Sequence, residues 1–236
     1  MSKWLMTIVY LAVSVFLTRL IPFSSFFRNL DTMVHEFCHA ITALVLSGQV
    51  LGIELHPDHS GVTYTRLASS WSSLPVSMSG YIGASLFSLL LFELHRRRAQ
   101  RLGLGLIISV AAVMIVLFVH GGFGLGWLSA FILLTGAMLF VGPKVRSFYY
   151  LLLAFLTLEE SALGPISLAI TALGSPSKAG DATNLEGATG VPAFFWALLF
   201  AVVALACATR SLQLFIRGRK EERGCPKSPS KVEAES

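Results

Sequence analysis

The chain has 236 residues, of which 54% are hydrophobic and only 13% charged, with a formal net charge of +5 and a mean hydropathy of +0.71. A soluble domain carries about 25% charged residues, so this composition excludes a soluble globular protein, and the basic excess between apolar segments reads as a topology signal rather than a nucleic-acid surface. Cys38, Cys207 and Cys225 are widely separated and form no CxxC pair, which excludes a disulfide framework and a thiolate zinc site.

A spanning helix needs about 20 mainly apolar residues, and on that rule spans fall near 4–21, 30–48, 75–95, 103–120, 124–142, 147–173 and 192–214. The first follows Lys3 and ends in Arg19 and Pro22 without a small-x-small cleavage site, so it reads as a retained span. Between the second and third spans, QVLGIELHPDHSGVTYTR (49–66) has β-branched residues on both sides of His56-Pro57-Asp58-His59-Ser60-Gly61, the pattern of a strand, a turn and a strand. The third span carries Ser79, Gly80, Gly83 and Ala84 at a spacing that lets helices approach closely. Between the last two spans, GSPSKAGDATNLEGATG (174–190) reads as a polar, Gly-rich loop. The expected fold is an all-α polytopic membrane protein of six or seven transmembrane helices with a small β-hairpin, as a single domain over 1–216, followed by a disordered charged tail at 217–236.

The informative segment is DTMVHEFCHAITALVL (31–46), an apolar span carrying His35, Glu36 and His39 in its middle. An ionisable group at bilayer depth costs about 2.5–3.5 kcal/mol even on translocon-insertion scales. Histidines four apart lie on one face of a helix, one turn apart, and both imidazoles can reach one metal ion. A glutamate beside the first is placed to hold a water on that metal and take its proton, which is the H-E-x-x-H arrangement of zinc proteases. Coordination satisfies two of the three groups and gives the third a partner, which explains their presence in the span. Catalytic zinc usually takes a third protein ligand, and the residues leave several candidates: Asp181, Glu186, His56, Asp58, His59, His120, Glu159 and Glu160. Asp181 lies where the backbone between the last two spans can dip towards the metal. His56 and His59 read as turn residues, His120 as an interface residue at a helix end, and Glu159 and Glu160 as structural contacts near a break at Gly164-Pro165.

VHEFCHA, then VLGIELHPDHSGVTYT, SGYIGA and GDATNLEGATGVPAFFW, together resemble the M50B-like branch of the site-2 protease family, intramembrane zinc metalloproteases, over roughly residues 30–200. The resemblance implies that His35, His39 and Asp181 hold the metal and that Glu36 is the catalytic base. Two departures are present: Cys38 stands where that family commonly has glycine, and Asp181 is not followed by the usual glycine.

The expected activity is hydrolysis of peptide bonds in membrane-protein or membrane-bound peptide substrates, with Zn2+ as cofactor, the lipid bilayer as surroundings, no nucleic-acid partner, and the cell membrane as location. A substrate helix hides its carbonyls in internal hydrogen bonds, so it must unwind, and the hairpin can pair with the unwound strand. Ile53, Leu55, Val62 and Tyr64 are its expected substrate-binding residues. The competing readings are a transporter or proton relay, which needs no i, i+4 histidine pair, and a catalytically inactive relative that binds membrane proteins, against which the intact Glu36 speaks. Arg19, Arg28, Arg96 to Arg98, Arg101, Lys144, Arg146 and the basic tail all fall on one face of a seven-span topology, which the positive-inside rule makes cytoplasmic. The family resemblance implies the opposite, a metal nearer the cytoplasmic side.

Overall fold

The computed structural model describes residues 8–9 and 24–224, with backbone alone at 24–25 and 217–224. The expected first span and the last twelve residues lie outside the described residues, apart from Ile8 and Val9. Among the described residues from 24 on, seven α-helices and one hairpin follow in chain order: α1 (Ser24–Val45), β1 (Gln49–Leu55), β2 (Gly61–Arg66), α2 (Ser73–Arg96), α3 (Gln100–Leu117), α4 (Gly122–Phe140), α5 (Pro143–Gly174), α6 (Gly180–Thr189) and α7 (Ala193–Gly224). Five of these, α2 to α5 and α7, are long and apolar enough to cross a membrane. α1 is long enough but carries Arg28, Asp31 and Glu36 among its apolar residues. All five regions expected as spans after residue 75 are helices.

The bundle is built around α5, in which 72% of the apolar window is buried, against 28% to 39% in the other four long helices. The outer helices therefore turn much of their apolar surface outward, including Leu102, Val116, Leu133, Phe140 and Val202, which suits contact with lipid tails. One end of the bundle is pinned by Tyr150, whose hydroxyl donates to the Leu91 carbonyl at 2.7 Å, and by Gln100 donating to Ser147 at 3.0 Å. Arg96, Arg97, Lys144 and Arg146 cluster in sequence at this same end, at the termini of α2 and α5. Arg28 does not join them. It is turned inward from α1, its Nε 2.9 Å from Glu160 Oε1 halfway along α5.

The hairpin forms as its sequence indicates, antiparallel from Gln49↔Arg66 to Leu55↔Gly61, with an irregularity between Val50 and Gly52. It does not project away from the helices. Its base lies by Ala43, where a Cβ on Gly48 would meet the Ala43 carbonyl oxygen at 2.9 Å, and its turn reaches Thr32, whose hydroxyl donates to the His59 carbonyl at 2.8 Å. The hairpin thus folds back along α1, past the whole H-E-x-x-H segment. Its β1 edge is held by the bundle through Ile53 N–H donating to the Phe118 carbonyl at 2.9 Å.

Two expectations are corrected. The 174–190 segment is not a loop but a 3-10 turn (Pro176–Lys178) followed by helix α6, which ends at Gly190 with φ 75° and an N–H bond to the Glu186 carbonyl at 2.7 Å. Glycine at this left-handed position is an ordinary helix stop, and the polar composition concealed the ten-residue helix before it. Nor does Gly164-Pro165 break a helix: α5 runs continuously through Pro165. α7 extends to Gly224, into the stretch read as tail.

Candidate metal centre

α1 presents His35 and His39 towards α2 and α6. Their Nε2 atoms are 3.0 Å apart, and Asp181 Oδ2 lies 3.1 Å from His35 Nε2 and 3.2 Å from His39 Nε2. These three residues, from helices 146 positions apart in the chain, are the group of His, Cys, Asp and Glu side chains among the described residues with the spacing to hold a metal ion. His39 is fixed from behind: its Nδ1 donates to the Val76 carbonyl at 2.7 Å, with Ser79 Oγ at 3.4 Å. A proton on Nδ1 leaves Nε2 of a neutral imidazole as a lone pair. The site therefore gathers a carboxylate oxygen and the lone pair of His39 against a second imidazole nitrogen, a donor set that suits a divalent cation. For tetrahedral zinc with bonds of about 2.0–2.1 Å, ligand atoms stand about 3.3–3.4 Å apart, so the triangle needs only a small expansion.

Asp181 opens α6, in the first turn, where the helix dipole favours an acid.

The close approach of α2 depends on one missing side chain. A Cβ on Gly80 would lie 2.5 Å from His35 Nε2, His35 Cε1 and His39 Nε2. One turn on, Gly83 faces Cys38 in the same way. The small-residue spacing of the third span is thus a helix contact whose function is to admit the histidines. Cys38 points at Gly83, on the α2 side of the helix, and is half-buried.

Glu36 is buried, on the neighbouring face. Thr63 of β2 donates to Glu36 Oε2 at 2.6 Å, and Gly61 packs against its Cγ and Oε1. Glu36, His35, His39 and Asp181 line one cavity of about 690 Å³, with Gly61, Val62, Thr63 and Thr65 of the hairpin on one side and α5 and α6 on the other. That volume is in the range of ligand sites, about 300–1,000 Å³.

The structure separates the other candidates from the triangle. Asp58 accepts from Ser60 N–H at 3.1 Å and Ser60 Oγ at 2.7 Å, and those bonds hold its carboxyl below its ordinary value. Glu186 accepts from Ala193 N–H at the start of α7. Glu160 faces Arg28, and Glu159 is buried beside it on α5. His56 and His120 line a second cavity of about 550 Å³ between β1 and the start of α4. His59, in the turn at φ 59°, lines the main cavity without joining the triangle. Of the expected substrate-binding residues, Val62 lines the main cavity. Ile53 and Leu55 are buried in the hydrophobic core and edge the second cavity, as does Tyr64, whose hydroxyl reaches Glu54 at 3.4 Å. Thr63 and Thr65 face the main cavity instead. Their i, i+2 spacing was the available signal, masked because threonine is ordinary in a strand. Arg28, read from the sequence only as a topology charge, also lines the cavity, as do Asp31 and Tyr81, which were not singled out.

No curated protein and no solved structure matches the chain. A family model does, over residues 5–210, which takes in the H-E-x-x-H helix, the hairpin, Gly80 and Asp181. With nearly the whole chain matched, this protein belongs to the peptidase M50B-like family.

Proposed function

We propose that this protein is an intramembrane zinc metalloprotease, acting in the cell membrane on peptide bonds of membrane proteins or membrane-bound peptides. The observation that carries the reading is the convergence of His35 Nε2, His39 Nε2 and Asp181 Oδ2 to within 3.0–3.2 Å, with the Glu36 carboxylate lining the same cavity. His35, His39 and Asp181 would hold the ion. When bound, zinc polarises the scissile carbonyl and makes a water nucleophilic at neutral pH.

The rest of the chemistry belongs to the chain. Glu36 takes a proton from the attacking water and delivers it to the departing amine nitrogen as the C–N bond breaks. Thr63 holds one of its carboxylate oxygens and so fixes its direction. Val76, through His39 Nδ1, keeps the imidazole in the tautomer that ligation needs. β2 is the outer strand of a two-stranded sheet, and its far side carries no backbone pairing among the described residues. An unwound substrate added along β2 would regain the hydrogen bonds its helix lost, beside Glu36. β1 is the wrong edge for this, since Phe118 already occupies it.

The test joins metal content to cleavage. Full-length protein purified in detergent is expected to hold one zinc per chain and to cut members of a panel of fluorescent transmembrane peptides, and His35→Ala is expected to lose both. Wild-type protein that holds no zinc, or that cuts as well after His35→Ala, would refute the reading.

A further inference from the structure

Tyr81 is the cavity residue whose placement the reaction has not yet used. It lies on α2 one position after Gly80, so its ring reaches the site from the same close-packed turn. Three elements fix that ring. It meets His35 of α1 edge to face, with centroids 4.6 Å apart at 81°, and stacks on Phe200 of α7 at 5.2 Å and 26°. Gly164 of α5 closes the third side, where a Cβ would sit 3.5 Å from the ring edge. A ring so held has little freedom, and Tyr81 lines the cavity alongside Glu36 and Asp181.

The hydroxyl makes no hydrogen bond among the described residues, while the other largely buried tyrosines, Tyr149 and Tyr150, each have a partner. The carboxyls of Asp181, Asp31 and Glu36 line the same cavity. A phenol with an ordinary pKa of about 10 is a hydrogen-bond donor at neutral pH. What is missing is an acceptor.

We infer that Tyr81 is a further catalytic residue, donating a hydrogen bond from its hydroxyl to the oxyanion that the oxygen of the scissile carbonyl becomes. The role rests on the protease reading above, in which a peptide carbonyl is seated between Glu36 and the His35–His39–Asp181 triangle. No proton is transferred. The donor is already fixed in place before the charge develops, and a donor held this way is worth most in a site screened from water. The preorganisation comes from packing: the ring is wedged by His35, Phe200 and Gly164, so its hydroxyl need not be ordered by the substrate.

Tyr81→Phe tests this, because it removes one oxygen and keeps every ring contact. The probe is a phosphinic pseudotripeptide with apolar side chains, whose tetrahedral P–O⁻ group imitates the oxyanion. Its ketomethylene counterpart, with a neutral trigonal carbonyl, serves as the control. Binding to full-length, zinc-loaded protein in detergent is measured by calorimetry, with zinc content and thermal unfolding recorded for both proteins. The variant is expected to keep its zinc and its unfolding temperature. It should bind the phosphinate about ten- to a hundredfold more weakly, the loss expected for a hydrogen bond to a charged group, and the ketomethylene compound nearly as well as wild type. Equal weakening of both compounds, or none, would overturn the assignment. So would loss of zinc from Tyr81→Phe, which would make the hydroxyl a support of the metal ligands. Wild-type protein without zinc would instead overturn the protease reading, and this role with it.

Discussion

Gly80 stands opposite His35 with no room for a side chain, a Cβ there falling 2.5 Å from His35 Nε2. Alanine is favoured over glycine in a helix interior by about 0.8–1.0 kcal/mol, so on propensity alone Gly80→Ala would stabilise α2. The imidazoles are fixed by Asp181 and Val76 and cannot give way without losing those contacts. The expected outcome is zinc occupancy reduced at least tenfold, with the helix content unchanged by circular dichroism. Full zinc occupancy in Gly80→Ala would show that α2 can retreat.

Glu36→Gln keeps the size of the side chain and removes the base. Zinc should stay bound, because Glu36 is not part of the ligand triangle. Cleavage of the transmembrane-peptide panel should fall at least about a hundredfold, the usual share of general-base catalysis. A variant that cuts at near the wild-type rate would refute the role.

Asp181→Ala removes the oxygen that lies within 3.2 Å of both histidines. Zinc content and activity should fall together, and zinc should be lost at lower chelator concentration than from wild type. Unchanged zinc stoichiometry would move the third ligand elsewhere, and of the other candidates His59 and Glu160 already line the cavity.

Thr63→Val preserves the strand and its shape but deletes the hydroxyl that donates to Glu36 Oε2 at 2.6 Å. Zinc should be unaffected. Turnover should drop about tenfold, in line with a net hydrogen bond to a charged group of about 1.5–3 kcal/mol only partly expressed in orientation. A steady-state comparison with wild type checks it, the fall being expected in kcat rather than KM.

Ser177, exposed in the α5–α6 connection, and Lys144, exposed in the first turn of α5, lie at opposite ends of α5. The positive-inside rule predicts that the basic cluster at the Lys144 end faces the cytoplasm. In a cysteine-free background, Ser177→Cys should react with an impermeant reagent applied to intact cells, and Lys144→Cys should not. The reverse pattern would put the metal nearer the cytoplasm. The hairpin turn is a poor reporter, since it folds back along α1 to Thr32.

The sequence alone determined the apolar helices, the strand–turn–strand element, and the pairing of His35 with His39 around Glu36. Each of these is a local matter of period: twenty apolar residues for a span, alternation for a strand, four residues for one turn of helix. Tertiary structure decided what depends on which helices meet. Asp181 could be singled out only through family resemblance, because nothing within its own segment aims it at residues 146 positions away, and its surroundings read as a loop although they form α6. The same holds for the hairpin: its pairing was legible, but not that it lies back along α1 with β2 towards Glu36, which buries Ile53 and Leu55 and turns Thr63 and Thr65 to the cavity. Gly80 read as a generic contact, and Tyr81 was not singled out. Their meaning comes from α2 packing directly against the two histidines, and close packing between helices leaves no periodic trace in either one.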